Sequence, residues 1–318
     1  MSATGLFAMA ELVVEQAPVW AAPLVLALLL VLAVAAASLD AVLVSGRRRV
    51  GALAVPWQEA ARLVVQQRRT TLASDSLLWR AGGAALVVVA ALMVAVVPWG
   101  TWVLLDSPVG VVWFNAMDVV LWAAVWTAGW GANSAWPLIG GHRFLAQALA
   151  YELPLMFALI CPTLAAGSLR VTDIQAAQTG GWFVLLMPVA VAVYLVCVLA
   201  FSLWGPFASP LGGDLGGAVL SETSGVDRLL VLLGRYALLA AGAAFSVPLF
   251  FGGGAGPWLP NVLWSVLKTL LVLGLLVATR RRFALVRPER FAELAWVVAI
   301  PLVLLQILVV ALVVLGRS

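Results

Sequence analysis

Eight long apolar runs divide the 318-residue chain, at about 18–44, 80–104, 110–130, 145–167, 182–204, 227–251, 258–279 and 294–316. Each is near or above the ~20 apolar residues that a helix needs to cross a hydrocarbon core. In lipid every backbone N–H and C=O must be satisfied within the segment, so open runs of this length predict helices. The pattern predicts an all-α integral membrane protein of about eight transmembrane helices, forming one polytopic membrane domain over residues 1–318. No two runs share an evident repeat.

The stretches between the runs carry their own patterns. In Ala52–Gln66, Leu53, Trp57, Ala61 and Val64 are apolar while Glu59, Arg62 and Gln66 are polar. This predicts an amphipathic segment lying flat on the membrane. Gly205–Val226 holds Pro206, Pro210 and the pairs Gly212–Gly213 and Gly216–Gly217, so it cannot be helical throughout. Fourteen of the 18 basic residues fall in the loops after the first, third, fifth and seventh runs. The positive-inside rule makes that side cytoplasmic, with the amphipathic segment on it and both termini outside.

Composition removes several functions. The chain is 64% hydrophobic and 10% charged, with mean hydropathy +1.10, far from a soluble domain. The net charge of +4 does not indicate nucleic acid, because the few basic residues sit where lipid headgroups explain them. Cys161 and Cys197 lie inside apolar runs without a CxxC neighbour, so no zinc or iron–sulfur site is expected. A bis-histidine haem is excluded by the single histidine, His142. Residues 1–17 have no basic n-region and carry Glu11 and Glu15, which argues against a secretory signal.

The candidate chemistry lies in polar residues carried into the runs. Asp40, Asp118, Glu152, Arg235 and Lys268 fall within or at the edge of predicted spans. A charged side chain near the bilayer centre costs on the order of 2.5–3.5 kcal/mol, so each requires a partner, a wet cavity or a function. Asp40 and Lys268 read as snorkelling or paired structural residues. Asp118 has no sequence-local partner, and a carboxyl there is expected to be protonated or in a wet cavity. Similar predicted depths suggest that Glu152 pairs with Arg235.

The string GWGANSAWPLIGGHRFLAQALAYELPL, residues 129–155, resembles the helix 3–4 region of the H-type membrane component of respiratory complex I. Gly129, Trp130, Asn133, Leu138, Gly140, Arg143, Ala146, Gln147, Tyr151, Glu152, Pro154 and Leu155 match that family's pattern. Weaker matches follow at Pro206–Phe207, Pro210, Asp214–Leu215, Glu222, Ser224–Gly225, Tyr236 and the segment Arg287–Trp296. Upstream, Pro56, Glu59, Arg62–Leu63 and Asp75 also fit. Where the family has a glutamate before the tyrosine of helix 6, this chain has Arg235, and the family's acid-rich loop retains only Asp214 and Glu222.

The resemblance implies a membrane-arm subunit of a complex I-like NADH-quinone oxidoreductase in the cell inner (plasma) membrane. A chain of this kind contributes to the quinone site and couples quinone reduction to proton translocation. It implies a quinone and proton path through Tyr151, Glu152, Asp214 and Glu222, with Arg143 orienting a carboxylate or anchoring the loop and Asp118 and Arg235 beside it. Glu59, Arg62, Arg287 and Arg290 would lie in loops that dock partners. No catalytic residue or metal ligand is expected in this chain. Quinone would occupy a shared site, and iron–sulfur clusters and flavin would reside in partner subunits. The implied partners are the other membrane-arm subunits, the soluble iron–sulfur and quinone-module subunits, and membrane lipids. The alternative is the equivalent ion-translocating subunit of a membrane-bound hydrogenase, without quinone chemistry. A transporter is disfavoured by the lack of internal repeats.

Overall fold

The structure, a computed structural model, describes residues 14–45, 51–212 and 217–316. The predicted site residue Asp214 and the loop residues Arg47, Arg48 and Arg49 lie outside the described residues. Seven helices are long and apolar enough to cross a membrane. They are α1 (Ala22–Ser45), which a short turn extends back to Val19, α3 (Ser76–Val94), α4 (Gly110–Gly131), α5 (Ala135–Ala166), α9 (Gly225–Phe250), α10 (Asn261–Thr279) and a last segment, Pro288–Leu315.

The fifth predicted run differs. It is split at Met187 into α7 (Phe183–Leu186) and α8 (Pro188–Phe201), so the regular helix there is only 14 residues. Pro188 lacks the N–H that would continue the first turn into the second. Two more boundaries moved. The second run ends at Val94, where the chain turns and Trp102–Val103 (β2) pairs in parallel with Glu15–Gln16 (β1). The last segment is α11 (Pro288–Leu294), a π turn at Ala295–Ala299 and α12 (Ile300–Leu315). Pro301, in the first turn of α12, cannot donate to the regular ladder, and the wider turn before it accommodates that loss.

The order of crossings gathers the loops at two ends. The β1–β2 pair, the turn at 251–260 and the short helix α6 (Val171–Ala176) meet at one end: Gly100 N donates to Ser265 Oγ at 3.0 Å and Gln178 Nε2 to Pro248 O at 2.7 Å. Lys268, which enters from α10, closes that end by donating to the carbonyls of Phe251, Gly253 and Ala255 at 2.7–2.8 Å. It thus meets three backbone carbonyls where a snorkelling or ion-paired residue was expected. The arginine-rich loops meet at the other end, joined by Val286 N to Pro206 O at 2.8 Å. There the predicted amphipathic segment forms α2 (Val55–Val65), which packs Leu63 fully inward and leaves Trp57 and Val64 exposed.

The packing centre is α9, whose last half is almost wholly buried between α3, α8 and α10. Close approach there depends on missing side chains. A Cβ on Gly242 would meet Val198 and Phe201, and one on Gly82 in α3 would meet the backbone of Ala124 and Ala128 in α4.

Candidate functional site: a buried acid pair and an arginine-lined cavity

Helices α4 and α5 pack against one another and carry the first cluster. Asp118 lies fully buried on α4, and the Tyr151 hydroxyl on α5 donates to its Oδ1 at 3.1 Å. One residue on, Glu152 Oε1 accepts from Asn115 Nδ2 at 2.8 Å. Asn115 is one helical turn before Asp118, so both polar groups of α4 face α5. The Asp118 and Glu152 carboxyls thus face the same α4–α5 interface, each bonded to a residue of the other helix. Asp118 Oδ2, Glu152 Oε2 and Asn115 Oδ1 are enclosed without a hydrogen-bond partner among the described residues. Two carboxyls in one apolar enclosure repel strongly when both are ionised, so a proton bound there relieves the pair. The arrangement can therefore take up, hold and release a proton. The backbone around it is loosened too, because Pro154 cannot donate to the Ala150 carbonyl.

The loop at 205–224 is fastened to the first half of α5. Arg143 Nη1 donates to Gly217 O at 2.9 Å, and Ser134 Oγ to Glu222 Oε1 at 3.3 Å. Gln147 Nε2 donates to Ala200 O and Phe207 O at 2.8 and 3.2 Å. Gly140 lets the loop backbone at Ala218–Val219 approach the helix directly.

A second cluster sits at the arginine-rich end. Asp40 of α1 pairs with Arg280, just past α10, and accepts from the Tyr236 hydroxyl at 3.4 Å. Arg235 lies over the Trp204 ring at 4.5 Å, and Arg280 over the same ring at 5.5 Å. These arginines and Arg228 line a cavity of about 660 Å³.

A family model described as NADH dehydrogenase matches residues 20–311, nearly the whole chain. The chain belongs to that family. Among its relatives, the second H-type component of NADH-quinone oxidoreductase in Rhodopseudomonas palustris is 36% identical over 219 residues, 68% of each chain. The second H-type component of the same enzyme in Cereibacter sphaeroides is 38% identical over 219 residues, covering 68% of this chain and 69% of the relative. The first H-type component in Geobacter metallireducens is 34% identical over 229 residues, covering 69% and 70%. These names do not favour the hydrogenase alternative.

Within this family member, the structure unites Asp118, Tyr151 and Glu152 and separates them from Arg235. The suggested Glu152–Arg235 pair is not formed. Glu152 lies about 25 Å along α5 from Ala135, whereas Arg235 lies about 15 Å along α9 from Gly225. The expectation of equal depth fails because α5 begins ten residues before the predicted boundary. Arg143 and Glu222 share the loop attachment. Glu59 and Arg62 form an exposed ion pair at 2.5 Å on α2, and Arg290 pairs with Glu293 at 3.1 Å on α11. Arg287 is the N-cap residue of α11.

Sequence reasoning missed Asn115 and the Asp40–Arg280–Tyr236 group. Asn115 carried a signal, a second polar residue three positions from Asp118 inside an apolar run. Arg280 looked like an ordinary loop charge, and 240 residues separate it from Asp40.

Proposed function

We propose that this chain is the H-type membrane-arm component of a complex I-type NADH-quinone oxidoreductase, and that it couples quinone reduction to proton translocation. The observation that carries the coupling is the pair Asp118–Glu152, a fully buried and a half-buried acid on facing helices, each with an enclosed oxygen that has no hydrogen-bond partner among the described residues. Such a pair inside a membrane protein is the usual mark of a proton path. The relatives' names support the complex and its quinone substrate.

In this reading the chain supplies protonatable groups and shape. Flavin and iron–sulfur clusters belong to partner subunits, and quinone is held where the loop bearing Glu222 meets a soluble partner. Arg143 keeps that loop on α5. A change of charge near the quinone shifts the proton affinity of the acid pair through α5. The arginine-rich end faces the cytoplasm, and the complex resides in the cell inner membrane.

The test is Glu152→Gln, which keeps the Asn115 contact geometry but removes the titrating group. The complex should assemble, and quinone-dependent NADH oxidation should lose its coupled proton movement in vesicles. Wild-type proton movement in the assembled variant would overturn the reading.

A further inference from the structure

Three tryptophans mark a groove at the end of the molecule opposite the arginine-rich loops. Trp20, at the head of α1, lines it with Trp99 and Trp102 from the turn around β2, Leu24 and Leu28 of α1, and Val262 of α10. Its volume is about 330 Å³, and every side chain on its wall is apolar or aromatic. Trp20, Leu24 and Leu28 recur every four residues, so they form one stripe that runs about 12 Å down the helix. Indoles gather at the level of lipid headgroups. The stripe therefore starts at the membrane interface and descends into the hydrocarbon. Trp20 and Leu24 are largely exposed, so the groove opens away from the protein.

The mouth of the groove carries a carboxylate. Glu15 stands opposite Trp102 in the β1–β2 register, two residues before Ala17, which lines the groove. The two-residue period of a strand puts Glu15 and Ala17 on the same side. Glu15 is exposed and forms no ion pair among the described residues. The described cations of this end are engaged elsewhere: Arg170 pairs with Asp106 at 2.7 Å, and Lys268 donates to three carbonyls. The occupant that fits brings a positive charge to the mouth and an apolar chain below it. A carboxylate beside indole faces favours an ammonium, through its charge and through the ring quadrupole. A primary ammonium also donates hydrogen bonds to the carboxylate, which a quaternary one cannot. A headgroup of net negative charge meets Glu15 with like charge.

We propose that this groove holds a membrane phospholipid with a primary ammonium headgroup, phosphatidylethanolamine. One acyl chain lies along Trp20, Leu24 and Leu28, and the ammonium meets Glu15 beside Trp102. The groove shares no residue with the acid pair or with the loop at 205–224, so the site stands or falls independently of the proton path and of the quinone.

A benzophenone amino acid placed at Leu24 of the full chain, in its native membrane, provides the test. On illumination it bonds to whatever fills the groove, and mass spectrometry of the adducts identifies the headgroup. The same probe at Val31, an α1 residue that is also 63% exposed but lies outside the groove, samples the bulk lipid. Phosphatidylethanolamine should be enriched among the adducts at Leu24 over those at Val31 by about two- to fivefold, the range of an exposed charge pair. Glu15→Gln changes an exposed side chain that has no ion-pair partner among the described residues, so the fold is kept. It should bring the Leu24 adducts down to the composition at Val31. No enrichment at Leu24, or an enrichment that Glu15→Gln leaves unchanged, would overturn the proposal. A protein adduct at Leu24 in place of lipid would overturn it as well and assign the groove to a partner helix.

Discussion

At the scale of single residues, the acid pair concentrates the function in three side chains. Tyr151 gives Asp118 its one side-chain hydrogen bond among the described residues, so Tyr151→Phe leaves a fully buried carboxyl oxygen unmet. The expected loss is on the order of 1–3 kcal/mol, read as a lower unfolding midpoint in detergent, with proton movement slowed as well. An unchanged midpoint would show that the hydroxyl contributes nothing to the pair. The individual acids were legible in the sequence, because a carboxyl in an apolar run stands out against a known cost. Their meeting was not, since no periodicity relates position 118 to position 152 across two helices. Arg235 was legible as an anomaly but was given the wrong partner.

Elements behave differently, because their contacts are spread along a face. The α3–α4 pairing depends on Gly82, where a Cβ would fall 2.5 Å from Ala128 N and 2.7 Å from Ala124 O. Backbone cannot yield as a side-chain tip can, so Gly82→Val should cost about 1–3 kcal/mol or abolish accumulation of folded protein. Expression and thermal unfolding would measure it. On α2, Arg62 holds the Glu59 carboxyl below the usual range, mainly through their hydrogen bond. A lowered folded value means that the contribution is present above the unfolded carboxylate range and fades as pH falls through the folded value. Both groups are exposed, so the effect is small. In Arg62→Gln, Glu59 should titrate closer to free glutamate by NMR. The helix positions were largely legible from apolar runs. The start of α5 was not, because residues 135–144, with Pro137, the Gly140–Gly141 pair, His142 and Arg143, fall outside the apolar run at 145–167. Pro137 in fact lies in the first turn, where no intrahelical N–H bond is lost. The fifth run was overestimated because hydropathy does not register the turn at Met187.

For the whole molecule, the distribution of arginine makes a prediction about sidedness. Asp173 and Glu293 lie at opposite ends with exposed side chains, 52% and 61% accessible. The native thiols Cys161 and Cys197 are buried, so the labelling background is low. A membrane-impermeant maleimide should reach Asp173→Cys from outside intact cells, and Glu293→Cys only after the membrane is opened. The reverse result would overturn the assigned orientation. The gathering of loops into two ends was foreseeable from alternating crossings. The pairing of β1 with β2 was not, since two-residue strands carry no readable alternation.

One helix joins these scales. At 32 residues α5 is about 48 Å long, while the hydrocarbon core is about 30 Å thick. Part of it must stand clear of the acyl chains or lean within them. The Arg143 grip on the loop and the Glu152 contact with α4 therefore belong to one stiff rod, with Pro154 just beyond the acid. The hydrogen bond that Pro154 cannot make, to the Ala150 carbonyl, spans Tyr151 and Glu152, so the rod yields most readily at the acid itself. A roll of α5 at the surface would move Tyr151 and Glu152 together relative to Asp118 and Asn115 on α4.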